Sequence, residues 1–330
     1  MTTEPDQRPI ELIDFWTPFV LRLCVAEGVI AAFGREDRSP EDVAASTGTH
    51  GESVARVVRV LASRGVFEDR GDGRYRLTDL GRRFLPDEPG SVTGLAGFKP
   101  WELHAWAEAG HTLRTGEPSF PVYFQESFWD WLAANPEISA KFNQDMRQRA
   151  TSLLAAGLPL FDWPETGTVV DVGGGNGLLL ERLLELKPGL RGVVFDLPHV
   201  VAEAEEHLRA AALDRVEIVG GDFFSEVPAE HDVYVLASIL HDWKDDEAVR
   251  ILETCGRAMQ PSSRLVLFES VLRPGTEFEF AKLLDLHMLV LFGARERTQE
   301  EWERLLDRAG FALTKIVPTP GLAWIESTPR

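Results

Sequence analysis

The sequence predicts an α/β protein: a doubly wound, mostly parallel sheet in the C-terminal half, preceded by a smaller, mostly helical domain. Three observations predict it. From about residue 160 onward, short apolar bursts rich in valine alternate with helical stretches, at 169–172, 192–195, 215–219, 233–236 and 265–268. The first burst runs straight into a glycine turn, Gly173-Gly174-Gly175-Asn176-Gly177, and then into the helical 178–184. Acids stand within or just beyond these strand ends: Asp171, Asp196, Asp222 and Glu269. In an open parallel sheet the carboxyl ends of the strands form one rim, so these residues are expected together.

The glycine turn carries the first chemical expectation. A residue without Cβ lets a ligand approach the backbone, and a helix N-terminus follows. A dinucleotide turn reads G-x-G-x-x-G, but its last glycine would fall on Leu178 or Leu180, depending on the register. A pyrophosphate favours a turn with no carboxylate beside it, whereas Asp171 attracts a cation. An acid followed by G-x-G-x-G suits S-adenosylmethionine, which pairs an amino acid end with adenosine. A glycine turn with no ligand, and a nicotinamide dinucleotide, are the alternatives. Asp196 ends the second strand about twenty residues on, where ribose hydroxyls are held. Asp222, with Phe223 and Phe224, offers an acceptor for an adenine amino group and a ring for the base face.

The second expectation concerns reaction. Beyond the fourth strand comes Ser238-Ile239-Leu240-His241-Asp242-Trp243, which puts His241 on the same rim. Methyl transfer from a sulfonium is an in-line displacement that needs alignment and a better nucleophile. A phenol of pKa about 10 is mostly protonated at neutral pH, and a histidine of pKa about 6.5 can take its proton. An acid on the other ring nitrogen improves such a base. Glu269, ending the fifth strand, and Glu296, in the loop before the helix 299–308, are both candidates. Thr298 also reads as the N-cap of that helix.

Composition sets limits. The chain has 330 residues, 44% of them hydrophobic, enough for two domains with cores. Its net charge of −19 argues against broad contact with phosphate backbones. Cys24 and Cys255 are the two cysteines and suggest neither a disulfide framework nor a zinc site. Residues 1–7 lack the basic start of a signal peptide, and no apolar run approaches membrane-spanning length, so a cytoplasmic protein is expected.

The domains expected are 1–95, a helical dimerisation unit; 96–160, a helical linker contributing to a substrate pocket; and 161–330, the catalytic sheet. Residues 10–33 read as one long helix apolar on most faces, covered either by its own domain or by a partner subunit. Residues 39–85 read as a winged helix-turn-helix. Its helix start is Ser39-Pro40-Glu41-Asp42, its second helix covers 53–64, and its hairpin turns at Arg70-Gly71-Asp72-Gly73. Arg56, Arg59 and Arg64 on the second helix raise DNA binding, but Glu52, Glu68, Asp69 and Asp72 surround them and favour a dimerisation module. Aromatic residues concentrate at 95–150, mostly as inter-helical core and in part as walls for a flat ligand.

Taken together these motifs resemble the plant-caffeate-type and bacterial natural-product O-methyltransferases over almost the full length. The carriers are Asp171-Val172-Gly173-Gly174-Gly175-Asn176-Gly177, Phe195-Asp196-Leu197-Pro198, Gly221-Asp222-Phe223-Phe224, Leu240-His241-Asp242-Trp243 and Glu296-Arg297-Thr298. The resemblance implies a Rossmann-like class I methyltransferase domain behind a winged-helix dimerisation domain. It also implies a homodimer, and S-adenosylmethionine as cofactor with S-adenosylhomocysteine as product. It implies cofactor binding by Gly173, Asp196, Asp222 and Phe223, with Trp243 beside the adenine; Asp171, Gly175, Leu197 and Ser238 are added as expected cofactor contacts. His241 matches the base, flanked by Glu269 and Glu296. Phe142, Met146, Met288 and Phe292 match the phenol-holding positions, with Trp101 and Asp242 added as expected acceptor contacts. No metal, nucleic acid or membrane is expected to take part. Many members carry a lysine four residues before the histidine; here that residue is Ala237. Some bacterial relatives hydroxylate or decarboxylate polyketides instead, and a cofactor-sensing winged-helix regulator is a remoter alternative. The intact His241, Glu269 and Glu296 favour methylation.

Overall fold

The computed structural model describes residues 8–88, 90–210 and 214–330; the N-terminal residues 1–7, on which the absence of a signal peptide was read, lie outside the described residues. The chain divides into two compact units, one ending at Pro100 and the other running Trp101–Arg330. No helix among the described residues is long and apolar enough to cross a membrane.

In the first unit, the single helix expected over 10–33 is instead three: Arg8–Ile13, Trp16–Ala26 and Val29–Phe33. Two local features break it. Asp14 accepts a hydrogen bond from the Thr17 N–H at 3.1 Å, and Gly28 takes a left-handed φ of 71°. Its start is not covered within the single chain: Ile10, Leu12, Ile13, Phe15 and Trp16 are all exposed, Leu12 by 88%, which leaves covering by a partner subunit as the standing alternative. The next helix, Pro40–Thr47, is capped by Ser39, which accepts from the Asp42 N–H, and closes at left-handed Gly48. Helix Gly51–Ser63 and an antiparallel hairpin, β1 (Phe67–Gly71) with β2 (Arg74–Leu77), complete the expected order. Ile30, Phe33, Val43, Val58, Leu61 and Leu77 form the core. Arg56 pairs with Glu52 and Arg64 with Asp14, so two of the three arginines that raised DNA binding engage acids of the same unit.

The second unit opens with helices carrying the aromatic residues, ending in the long helix Pro136–Gly157. The strands follow: β3 (Gly167–Val172), β4 (Leu190–Asp196), β5 (Val216–Gly220), β6 (Val233–Ala237) and β7 (Arg264–Glu269). A short parallel pair, β8 (Val271–Leu272) with β9 (Arg297–Thr298), lies outside the main sheet. The chain ends in β10 (Phe311–Pro318) and β11 (Ala323–Pro329). The main sheet has seven strands in the order β10-β11-β7-β6-β3-β4-β5. β3 to β7 are mutually parallel, with Asp171 facing Val194 on one side and Val235 on the other. The last strands depart from the expected alternation: β11 runs antiparallel to both β10 and β7. Only 319–322 join β10 to β11, with Gly321 at φ 101°, and so short a link permits a hairpin but not a parallel crossover.

Both faces of the sheet are covered, as its apolar strands require. Leu180, Leu183, Leu184 and Trp324 pack on one side, and Tyr234, Ile251, Leu252 and Trp302 on the other. Cys24 and Cys255 are buried thiols.

Candidate active site

The glycine turn is held from below by β4. The N–H groups of Gly173 and Gly174 both donate to the Phe195 carbonyl, at 2.8 and 3.2 Å. Asp196, at the β4 tip, accepts from Gly175 N–H at 2.9 Å and Leu197 N–H at 2.7 Å, tying the turn to the next loop. Each glycine has its own reason. A Cβ on Gly173 would lie 2.6 Å from Ile239 Cδ1, one on Gly174 2.7 Å from Asp171 Oδ2, and one on Gly177 2.8 Å from Leu208 Cδ1. A Cβ on Gly175 would meet nothing within 4 Å, so this glycine, at φ 56°, faces open space.

Asp171 is buried, and its Oδ2 has no hydrogen-bond partner. Burial, and then the charge of Asp196, push its pKa up to about 7. A buried carboxylate with an unused oxygen, a second carboxylate at the rim and open space above Gly175 fit a ligand with a cationic amino acid end and a ribose.

On the other side of the turn, Phe223 and Phe224 meet Trp243 edge-on, with centroids 6.0 and 4.8 Å apart. Phe223 Cε1 would lie 3.8 Å from a Cβ on Gly173, so this aromatic group adjoins the glycine turn. Asp222 is exposed and bends back on its own loop, accepting from Phe224 N–H at 2.9 Å and Ser225 Oγ at 3.3 Å.

His241 sits one short turn beyond β6. Ser238 makes the corner in a left-handed conformation, φ 55°, and donates its N–H to the Phe268 carbonyl at 3.0 Å. The two acids have different tasks, which the sequence left undivided. Glu269 Oε1 accepts from the N–H groups of Ile239 and Leu240, at 3.0 and 2.8 Å, and so fixes the turn. Glu296 Oε1 lies 2.9 Å from His241 Nδ1 and fixes the ring. A carboxylate only accepts, so Nδ1 carries the hydrogen and Nε2 is left to take a proton. Asp242 Oδ1 stands 3.6 Å from Nε2. His241, Glu269 and Glu296 each bring one polar atom within 4.8 Å of the others.

Burial lowers the affinity of His241 for a proton, but Asp242, Glu269 and Glu296 together overcome it and raise the pKa to about 10. The same crowding acts on the acids. Burial lifts Asp242 to about 6 and Glu269 to about 7, against the opposing pull of His241.

Arg297 is a structural participant that sequence reasoning passed over. It is fully buried and donates to the carbonyls of Leu240 and Trp243, at 2.9 and 3.0 Å, and to Asp245. It thereby fastens the Glu296 loop to the His241 turn. Nothing local in the sequence signalled its burial, since arginine is rarely buried. Asp285 adds a second hold, accepting from the Glu296 N–H at 2.8 Å.

The expected acceptor residues fall into two sets. Phe142, Met146 and Phe292 are half-buried, and Phe292 stacks on Trp129 with centroids 5.5 Å apart. Trp101 and Met288 are buried, 8% and 4% exposed. Trp101 lies among Phe128, Trp131 and Phe142, so it backs the aromatic wall.

A parallel sheet with a glycine turn, strand-tip acids and a histidine on one rim defines a nucleotide-type cofactor enzyme. An O-methyltransferase domain matches residues 106–312, and an O-methyltransferase dimerisation domain matches residues 10–87. The phenazine O-methyltransferase of Lysobacter antibioticus is 38% identical over 318 residues, 96% of this chain and 93% of that one. The O-demethylpuromycin-O-methyltransferase of Streptomyces alboniger is 39% identical, over 90% of this chain and 81% of that one. Among solved structures, an O-methyltransferase from neocarzinostatin biosynthesis, in complex with S-adenosylmethionine and 2-hydroxy-5-methyl naphthoic acid, superposes with a TM-score of 0.85. It is 31% identical, with 97% of this chain and 98% of that one covered. The chain belongs to the O-methyltransferase family, and it is an S-adenosylmethionine-dependent enzyme with an N-terminal dimerisation domain.

Proposed function

We propose that this enzyme methylates a phenolic hydroxyl of a small aromatic or polyketide-derived acceptor, with His241 as the general base. The observation that carries this reading is the Glu296-held imidazole on the rim of the glycine turn, with Asp242 Oδ1 3.6 Å from Nε2, beyond hydrogen-bond distance. S-adenosylmethionine, when bound, supplies a methyl group on a positively charged sulfur. Asp171, Asp196 and Leu197 would hold it beside Gly173 and Gly175, with Ser238 shaping the corner and Asp222, Phe223 and Trp243 at the adenine end. Phe142, Met146 and Phe292 would align the acceptor ring, backed by Trp101 and Met288. His241 Nε2 takes the hydroxyl proton as the oxygen becomes nucleophilic, and Glu296 stabilises the resulting imidazolium through Nδ1. Asp242, beside Nε2, orients the acceptor hydroxyl.

Transfer of a labelled methyl group to a panel of phenols, hydroxynaphthoic acids and anthracycline-like acceptors tests this reading. Labelled ether products support it; consumption of no cofactor, or hydroxylated or decarboxylated products, would overturn it.

A pH profile tests the base. Only the neutral imidazole can accept a proton, and its pKa is raised, so kcat/KM should climb with pH from neutral into the alkaline range. Glu296→Gln removes one of the charges that hold the proton on His241, so the rise should move to lower pH while the maximum falls. An unmoved profile would remove Glu296 from this role.

We further propose that the dimerisation domain makes a homodimer by covering the exposed Ile10, Leu12, Ile13, Phe15 and Trp16. Light scattering should give twice the chain mass, and charged residues at Leu12 and Trp16 should reduce it to one.

A further inference from the structure

On the long helix Pro136–Gly157, Phe142, Met146 and Arg149 follow at intervals of four and three, which sets them along one face. The first two are proposed acceptor contacts; the third is a cation in the same row. Arg149 is half-buried, and burial lowers its hold on its proton, with the negative charge of Glu296 opposing that effect. Among the described residues it makes no ion pair and no hydrogen bond. That is unusual company for an arginine, whose five N–H donors need partners when water is withdrawn. The helix face it shares with Phe142 and Met146 puts the cation on the proposed acceptor side, whereas Asp171 and Asp196 mark the proposed cofactor end.

We propose that Arg149 selects the acceptor: it pairs with a carboxylate on the aromatic ring, so that the enzyme's substrates are hydroxylated aromatic acids. The inference rests on the phenolic-acceptor reading above. A planar guanidinium suits a carboxylate through two parallel hydrogen bonds, and a site shielded from water strengthens them.

Calorimetric titration of the S-adenosylhomocysteine-loaded protein at pH 7 tests it, with 3-hydroxy-2-naphthoate and 2-naphthol as probes. The native protein should bind the acid about ten- to a hundredfold more tightly than the naphthol. Arg149→Met should abolish that preference while leaving the affinities for 2-naphthol and S-adenosylhomocysteine within about twofold. Arg149→Lys, a point charge without the fork, should recover part of it. Equal binding of the two probes by the native protein, or a preference that survives Arg149→Met, would overturn the proposal. A loss of S-adenosylhomocysteine affinity instead would assign the guanidinium to the cofactor and also overturn it. Failure of the phenolic-acceptor reading looks different, because neither probe would bind while S-adenosylhomocysteine still did; both conclusions would then fall.

Discussion

Replacing His241 with alanine is expected to lower kcat by about 10²- to 10⁴-fold, the range attributed to a positioned general base. The affinity for S-adenosylhomocysteine should stay within about twofold, because the proposed cofactor contacts lie on the glycine turn and the β4 tip. The turn that carries His241 is held independently of the ring, by Glu269 on the Ile239 and Leu240 N–H groups and by Arg297 on the Leu240 carbonyl. The substitution therefore removes the base without releasing its support. Turnover unchanged in the His241→Ala protein would mean that alignment alone drives the reaction.

Gly174→Ala is expected to have the next largest effect, on cofactor binding and on the fold. The new Cβ would lie 2.7 Å from Asp171 Oδ2 and 2.9 Å from the Asp171 carbonyl, and a backbone atom cannot swing away as a side-chain end can. Nor can the turn rise freely, since the Gly174 N–H is tied to the Phe195 carbonyl and the Gly175 N–H to Asp196. Relief must displace Asp171, Asp196 or both. Affinity for S-adenosylhomocysteine should fall at least about tenfold, equivalent to roughly 1.4 kcal/mol, and the Tm by several degrees. Gly175→Ala is the informative contrast. Its Cβ meets open space, so the fold loses only the cost of a left-handed alanine, about 1–2 kcal/mol, while the methyl intrudes where the ligand is proposed to lie. Calorimetry and thermal melts of the two variants separate these effects. Equal, small losses in both would remove the close-packing argument for Gly174.

Much of the sheet was legible before any coordinates. Parallel strands are covered on both faces, so they are continuously apolar, and 169–172, 233–236 and 265–268 stand out against the helices. The end of the sheet was less legible, because strand direction there depends on the length of the 319–322 link. The N-terminal helix was misread for a related reason. Periodicity reported its apolar content, but Asp14 and Gly28, which cut it into three, act through backbone geometry that hydrophobic spacing does not report.

The division of labour between Glu269 and Glu296 shows the same limit at the site. Both acids could be nominated from their positions at the end of β7 and before the helix Gln299–Arg308. Which one touches the imidazole depends on how the 293–298 loop is drawn over the His241 turn. Arg297, reaching across more than fifty residues to Leu240, Trp243 and Asp245, makes that connection. Its importance is invisible in a string where arginine usually marks an exposed face.

The sequence by itself determined the parallel core of the sheet, the glycine turn with its acid, and a histidine at the carboxyl rim, because each follows from local pattern and from strand-end geometry. Only the tertiary structure decided which acid holds the ring, why Gly174 admits no side chain, and that Arg149, half-buried on the face of Phe142 and Met146, has no ion pair or hydrogen bond among the described residues. Those facts arise from atoms brought together across long separations in sequence, and their distances are set by packing, which no local pattern encodes.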